Sequence, residues 1–186
     1  MPALRRDAVC VPVSLLVVTG PPGAGKSTVA ALVADGLPRS VLIEGDAFVA
    51  FLRQGAIEPW LPESHAQNEI VVEATALATG RFARDYPTVF DGVMGPWFLD
   101  RFLAETELDA LDYAVLLPDV EVCVERVFTR VDHGFRDEPA ARKMHHEFAR
   151  CEIDARHVIV NHSTAEDAAD EIIARWECGV LRVESG

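Results

Sequence analysis

TGPPGAGKST, Thr19–Thr28, decides how the rest of the chain is read. Gly20, Gly25, Lys26 and Ser27 stand at the spacing GxxxxGK[ST], after the apolar run LLVVT and before the helical pattern STVAALVADG. Strand, loop and helix in that order turn a glycine-rich stretch into a phosphate-binding loop. Glycines let backbone N–H groups converge on phosphate oxygens without a Cβ in the way, and the new helix adds its positive N-terminal end. On this reading Gly20, Gly23, Ala24, Gly25, Lys26, Ser27 and Thr28 bind a nucleotide. Lys26 reaches the β and γ phosphates, and the Ser27 hydroxyl ligates Mg²⁺.

Outward from the loop, short apolar runs alternate with longer helical patterns, as in a parallel sheet covered by helices on both faces. Strands are expected at Ser14–Thr19, Val41–Glu44, Thr88–Asp91, Tyr113–Leu117 and His157–Asn161. Helices are expected at Lys26–Gly36, Asp46–Arg53, Ser64–Asp85, Pro96–Ala110, Val120–Val131, Glu138–Arg150 and Ala165–Glu177. The opening run MPALRRDAVCVPVSLLVV superficially resembles a signal peptide, but it leads straight into the loop and is read as the first strand.

In such a sheet ligands collect beyond the carboxyl ends of the strands, which makes the residues just after each strand the candidates. The second strand ends VLIEGDAF, so Glu44 and Asp46 fall at that edge, where a carboxylate can take a proton from an incoming hydroxyl. Asp46 is also a preferred helix-cap residue. The third strand ends TVFDG, which places Asp91 beside the loop and suits it to Mg²⁺, or to a buried Asp-Gly turn. Arg126 and Arg130 are four apart and share a helical face, with Arg136 in the segment beyond; all three suit a transferring phosphoryl group or a solvated surface. After the fifth strand, Asn161–Ser163 could offer backbone groups to a base, while Ser163 or Thr164 could cap the next helix.

The bulk numbers exclude several partners. A net charge of −13 and a pI near 4.8 repel phosphodiester backbones, so nucleic acid is not an expected partner. No apolar run reaches the roughly 18 residues of a membrane span. Cys10, Cys123, Cys151 and Cys178 are scattered, as in a cytoplasmic protein with reduced thiols. The 186 residues suit one domain, alone or as a homodimer.

TGPPGAGKST, IEGDAF, VFDG and ERVFTR together resemble the nucleoside monophosphate kinase-like branch of P-loop proteins, in particular gluconate kinase, chloramphenicol phosphotransferase and small bacterial ATP-binding proteins. The resemblance implies a three-layer α/β sandwich on a five-stranded parallel sheet of order 2-3-1-4-5 with a short helical lid. It implies ATP and Mg²⁺, Asp46 as catalytic base, Arg126 against adenine and Arg130 on phosphate; Arg136 is expected to join Arg130 in neutralising charge as the lid closes. The lid departs from gluconate kinase where Gly134 separates His133 from Phe135 and where His146-Glu147-Phe148 replaces Ser-Gln-Phe. The expected reaction is γ-phosphate transfer to a hydroxyl of a sugar, polyol or antibiotic. A regulatory ATPase or a toxin-like kinase of nucleotide sugars is the alternative.

Residues 46–86 are expected to bind the acceptor, with 126–142 as lid. Trp60 and Trp97 are expected as apolar walls, and Arg53, Glu58, His65, Gln67, Asn68, Glu69 and Glu73 as polar candidates. His65, Glu69 and Glu73 make a stripe opposite an expected apolar face of Val71, Ala74, Ala78 and Phe82. Few cations line this stretch, which argues against a nucleoside monophosphate acceptor.

Overall fold

The computed structural model describes residues 14–129, 135–160 and 164–185. LLVVT becomes strand β1 (Leu15–Thr19), every residue of it buried, as befits a strand covered on both faces. Its side chains alternate: Leu16 and Val18 join one core with Ala30, Val33, Ile172 and Trp176, while Leu15 and Val17 join a second with Phe90, Phe102 and Tyr113. Helices α1 (Lys26–Asp35) and α7 (Ala165–Glu177) cover the first face; α3 (His65–Ala83) and α4 (Pro96–Thr106) cover the second.

Strands β2 (Val41–Glu44), β3 (Thr88–Asp91), β4 (Ala110–Leu116) and β5 (Val158–Ile159) complete the parallel order β2-β3-β1-β4-β5. A sixth strand, β6 (Arg182–Glu184), is added to the expected five and pairs antiparallel with the first residues of β4. The β4 edge is thus shared, β5 on its carboxyl half and β6 on its amino half. Strand β4 starts earlier than Tyr113 because this pairing extends it back to Ala110.

Other boundaries move for physical reasons. Helix α4 stops at Thr106, where Glu107 takes a left-handed φ of 55°. The expected Asp46–Arg53 helix forms only as α2 (Gly45–Val49), and an irregular stretch leads to a single turn of 3₁₀ helix at Pro62–Ser64. The buried face of α3 is Val72, Thr75, Ala76, Thr79, Gly80 and Ala83, not Val71, Ala74, Ala78 and Phe82. Small residues let α3 lie close to its neighbours, and the Thr75 and Thr79 hydroxyls donate back to the carbonyls of Val71 and Thr75, at 2.6 and 2.7 Å. Ile70, Leu77 and Phe82 face outward.

Helices α5 (Val120–Thr129) and α6 (Glu138–Arg150) follow β4 and pack together. No helix among the described residues is long and apolar enough to cross a membrane.

Candidate active site

The loop after β1 is shaped by what lies behind it. Gly20 and Gly23 have φ of 144° and 81°, and a Cβ on either would come within 2.1 Å of a carbonyl oxygen, that of Leu116 or Cys123. No larger residue fits, because the loop rests directly on the backbone of β4's end and of α5. The Ala24 amide closes the turn onto the Pro21 carbonyl at 3.1 Å. Helix α1 begins at Lys26 with Gly25 as an uncapped N-cap, so the first-turn amides of Lys26, Ser27 and Thr28 face the cavity end with no side-chain acceptor on them. The Lys26 ammonium donates to the Pro21 carbonyl at 3.1 Å, folded over the loop it would serve.

Two carboxylates lie across from it. Asp91 ends β3 in register with Val18 on one side and Glu44 on the other. It is only 8% exposed, and burial pushes its pKa up; Asp46 and Glu44 add to the rise, while the Ser27 hydroxyl bonded to it and the Lys26 ammonium oppose it. Its buried Oδ1 accepts no hydrogen bond. A buried carboxylate oxygen without a donor, beside a serine hydroxyl and two further acids, fits a Mg²⁺ ion that takes its remaining ligands from phosphates and water.

Asp46 is the second residue of α2, which follows β2 without a loop; the N-cap is Glu44, so Asp46 is not a cap. A Cβ on Gly45 would meet Phe90 at 3.0 Å and the Asp91 carbonyl at 3.2 Å, so this residue holds the start of α2 against the end of β3. Lys26, Ser27, Asp46, Asp91 and Arg136 all line one cavity of about 1320 Å³.

Beyond the carboxylates the cavity is aromatic. Trp60 meets Phe135 edge-on at 4.7 Å between ring centroids, Trp97 meets Phe148 at 5.2 Å, and Phe98 stacks on His65 at 6.2 Å. Trp60 and Trp97 are therefore walls, as the sequence suggested; Phe98, Phe128 and Phe135 line it too and had not been singled out. The spacing of Phe128 and Phe135 around the Arg126 to Arg136 stretch was the available signal. The segment Gly92–Met94 also lines the cavity and is held by two buried hydrogen bonds: the Met94 amide donates to Thr19 Oγ1 and the Tyr113 hydroxyl to the Met94 carbonyl, both at 2.8 Å.

Several polar candidates serve the frame instead. Gln67 grips the backbone of Ile57 through both amide atoms, at 2.8 and 2.7 Å, and Asn68 donates to the Pro59 carbonyl at 2.8 Å. These bonds hang the Trp60 segment on α3. Glu69 and Glu73 both pair with Arg101 of α4. Arg53 is not among the cavity-lining residues, whereas Glu58 and His65 are.

Arg126 sits on the other side of the loop, its guanidinium 3.4 Å from the Ala24 carbonyl, and does not line the cavity. Arg130 and Asn161 lie outside the described residues, as do His162 and Ser163. Thr164 caps α7, accepting from the Asp167 amide at 3.1 Å.

Residues 15–168 match the family model described as an AAA domain. No curated protein matches the sequence. Among solved structures, the chain is similar to the tunicamycin resistance protein of Deinococcus radiodurans, with 17% identity, a TM-score of 0.65 and coverage of 87% of this chain and 94% of that one. It is similar to a gluconokinase from Sinorhizobium meliloti 1021, with 19% identity, a TM-score of 0.63 and coverage of 94% and 95%. A third is shikimate kinase from Acinetobacter baumannii, solved with shikimate, at 20% identity, a TM-score of 0.57 and coverage of 86% and 90%. At these identities the likeness is one of fold.

Proposed function

The chain belongs to the AAA domain family, and from that premise we propose that it is an ATP-dependent phosphotransferase acting on a hydroxyl of a small molecule. The observation that carries this reading is one cavity lined by the phosphate loop, Asp46 and Asp91 that continues into an aromatic-walled chamber. A motor or switch ATPase has no use for such a chamber; an acceptor site does. The kinases among the structures of like fold support the same reading.

The first-turn amides of α1 and the Lys26 ammonium, turned from the Pro21 carbonyl, bind the β and γ phosphates. Ser27 and Asp91 would hold a Mg²⁺ ion, which would supply positive charge against the phosphates. Asp46 accepts the proton of the acceptor hydroxyl. That oxygen then bonds to the γ-phosphorus as the bond from phosphorus to the β,γ-bridging oxygen breaks, leaving ADP and a phosphate ester. Arg136, on the cavity wall, and Arg130 neutralise the charge that spreads over the transferred group. Arg126 packs on the adenine, residues 46–86 carry the acceptor side, and 126–142 close over it. Asn161 offers its backbone to the base.

The test is ADP release from Mg·ATP against a panel of hydroxyl compounds, with mass spectrometry for one added phosphate. Release that depends on an acceptor and falls by about 10²-fold or more in Lys26→Ala supports the reading. Release that no acceptor raises, or that Lys26→Ala leaves unchanged, overturns it.

A further inference from the structure

The walls of the chamber say more about the acceptor than its polar groups do. Trp60 comes from the segment before α3, Trp97 and Phe98 from α4, and Phe135 from the segment before α6. Each of the four rings is braced by another ring, so the surfaces are set before a ligand arrives. Large apolar side chains that reach solvent gather at the same opening: Trp97 is 46% exposed and Phe128 48%, with Val93 and Leu61 beside them. Apolar area left at a cavity mouth marks a binding surface for an apolar body.

Polar side chains also line the cavity, among them Glu58, His65, Asp137 and Glu147, but those of α3 and the segment before it mostly hold the frame. Gln67 and Asn68 are spent on Ile57 and Pro59, and Ser64 donates to the carbonyls of Pro59 and Leu61 at 2.9 and 2.7 Å. Glu69 and Glu73 are paired with Arg101. Indole and phenyl rings offer a polyol or sugar acid no partner for the hydroxyls that face them, whereas they match a flat apolar body. An anionic acceptor is disfavoured further, since the lining carboxylates outnumber the lining cations two to one.

We infer that the acceptor is a hydroxyl compound with a flat aromatic body and no carboxylate or phosphate, its ring held between Trp60 and Trp97 and its hydroxyl directed at Asp46. The inference rests on the phosphotransferase reading for the role of the hydroxyl, but not for the binding of the ring. The measurement is calorimetric titration of the full chain, with Mg²⁺ and a non-hydrolysable ATP analogue, using 2-(2-naphthyl)ethanol, sorbitol and gluconate as probes. The naphthyl alcohol is expected to bind at least about tenfold more tightly than either of the others, and Trp97→Ala to weaken it by about tenfold with the ATP analogue unaffected. Because Trp97 also leans on Phe148, Phe128→Ala serves as a second variant, expected to weaken the same probe several-fold without moving the melting temperature.

Tighter binding of sorbitol or gluconate, no saturable binding of the naphthyl alcohol, or binding indifferent to both substitutions overturns the inference. If the naphthyl alcohol binds as expected but no hydroxyl compound of any class raises ADP release, the aromatic site stands and the phosphotransferase reading falls. ADP release driven by a sugar alone leaves that reading intact and removes this one.

Discussion

The phosphate loop and the aromatic chamber share one cavity, yet they are held by opposite means. The loop is fixed by its own backbone: Gly20 and Gly23 lie against carbonyls of Leu116 and Cys123 that admit no side chain, and α1 starts at its end. The chamber is fixed by side chains that meet from segments far apart in the chain, Trp60 on Phe135 and Trp97 on Phe148. A backbone-built site binds what every nucleotide shares; a side-chain-built site can be altered one ring at a time. On the proposed function, chemistry belongs to the loop side and selectivity to the chamber.

The sharpest way to break this division is at the border between the two. Asp46→Asn should lower acceptor-dependent ADP release by about 10²- to 10⁴-fold, the span usual for a general base, with affinity for the ATP analogue unchanged. Loss of nucleotide affinity in titration would move Asp46 to the phosphate side.

On the chamber side, Gln67→Ala removes both bonds to Ile57 and frees the segment that carries Trp60. Acceptor KM should rise about tenfold while KM for ATP holds, and steady-state kinetics with each substrate varied separates the two. Equal rises in both would mean that the two sides are not independent.

Away from the cavity, Asp112 sharpens the comparison as a buried carboxylate whose charge nothing offsets fully. Burial raises its pKa from 3.8 to about 6, against a hydrogen bond from Trp176 and the charge of Arg182. The folded protein therefore holds this proton where the unfolded chain has released it, so the contribution to stability falls as pH rises from about 4 to about 6 and stays low above that. Asp112→Asn should remove that slope and raise stability at pH 7 by up to about 3 kcal/mol, read as the difference in urea unfolding between variant and parent across the window. An unchanged slope would show that Asp112 is ionised throughout. The smallest effect is expected at Arg101→Ala, which undoes the half-exposed pairs with Glu69 and Glu73 and should leave the urea unfolding midpoint nearly unchanged. Its acceptor KM should not move, since neither glutamate lines the cavity.

What could be read from sequence follows the same line. The loop was legible because a local pattern of glycines, lysine and serine between a strand and a helix determines local geometry. The strand order followed from the resemblance built on that loop, and the sheet bears out its five parallel members. Strand β6 was overlooked because only Arg182–Glu184 pair, at an edge, too few residues for a period to register. The face of α3 was misassigned to Val71, Ala74, Ala78 and Phe82 because hydrophobicity was weighed above size, whereas close packing selected Thr75, Thr79 and Gly80. Gln67, Asn68, Glu69 and Glu73 looked like ligand groups because no sequence pattern tells a side chain that reads a substrate from one that holds a loop. Trp60 and Trp97 were visible as large residues near the right strands, but not the rings that brace them.

The central claim is that the loop presents a γ-phosphate to Asp46 at the mouth of the chamber. A crystal structure of the chain with Mg²⁺ and a non-hydrolysable ATP analogue tests it most directly. The β and γ phosphates are expected on the amides of Gly23 to Ser27, the metal at Ser27 and Asp91, and the γ-phosphorus facing the Asp46 carboxylate across the cavity. Nucleotide density in the aromatic chamber instead, or a γ-phosphate directed away from Asp46, would contradict it.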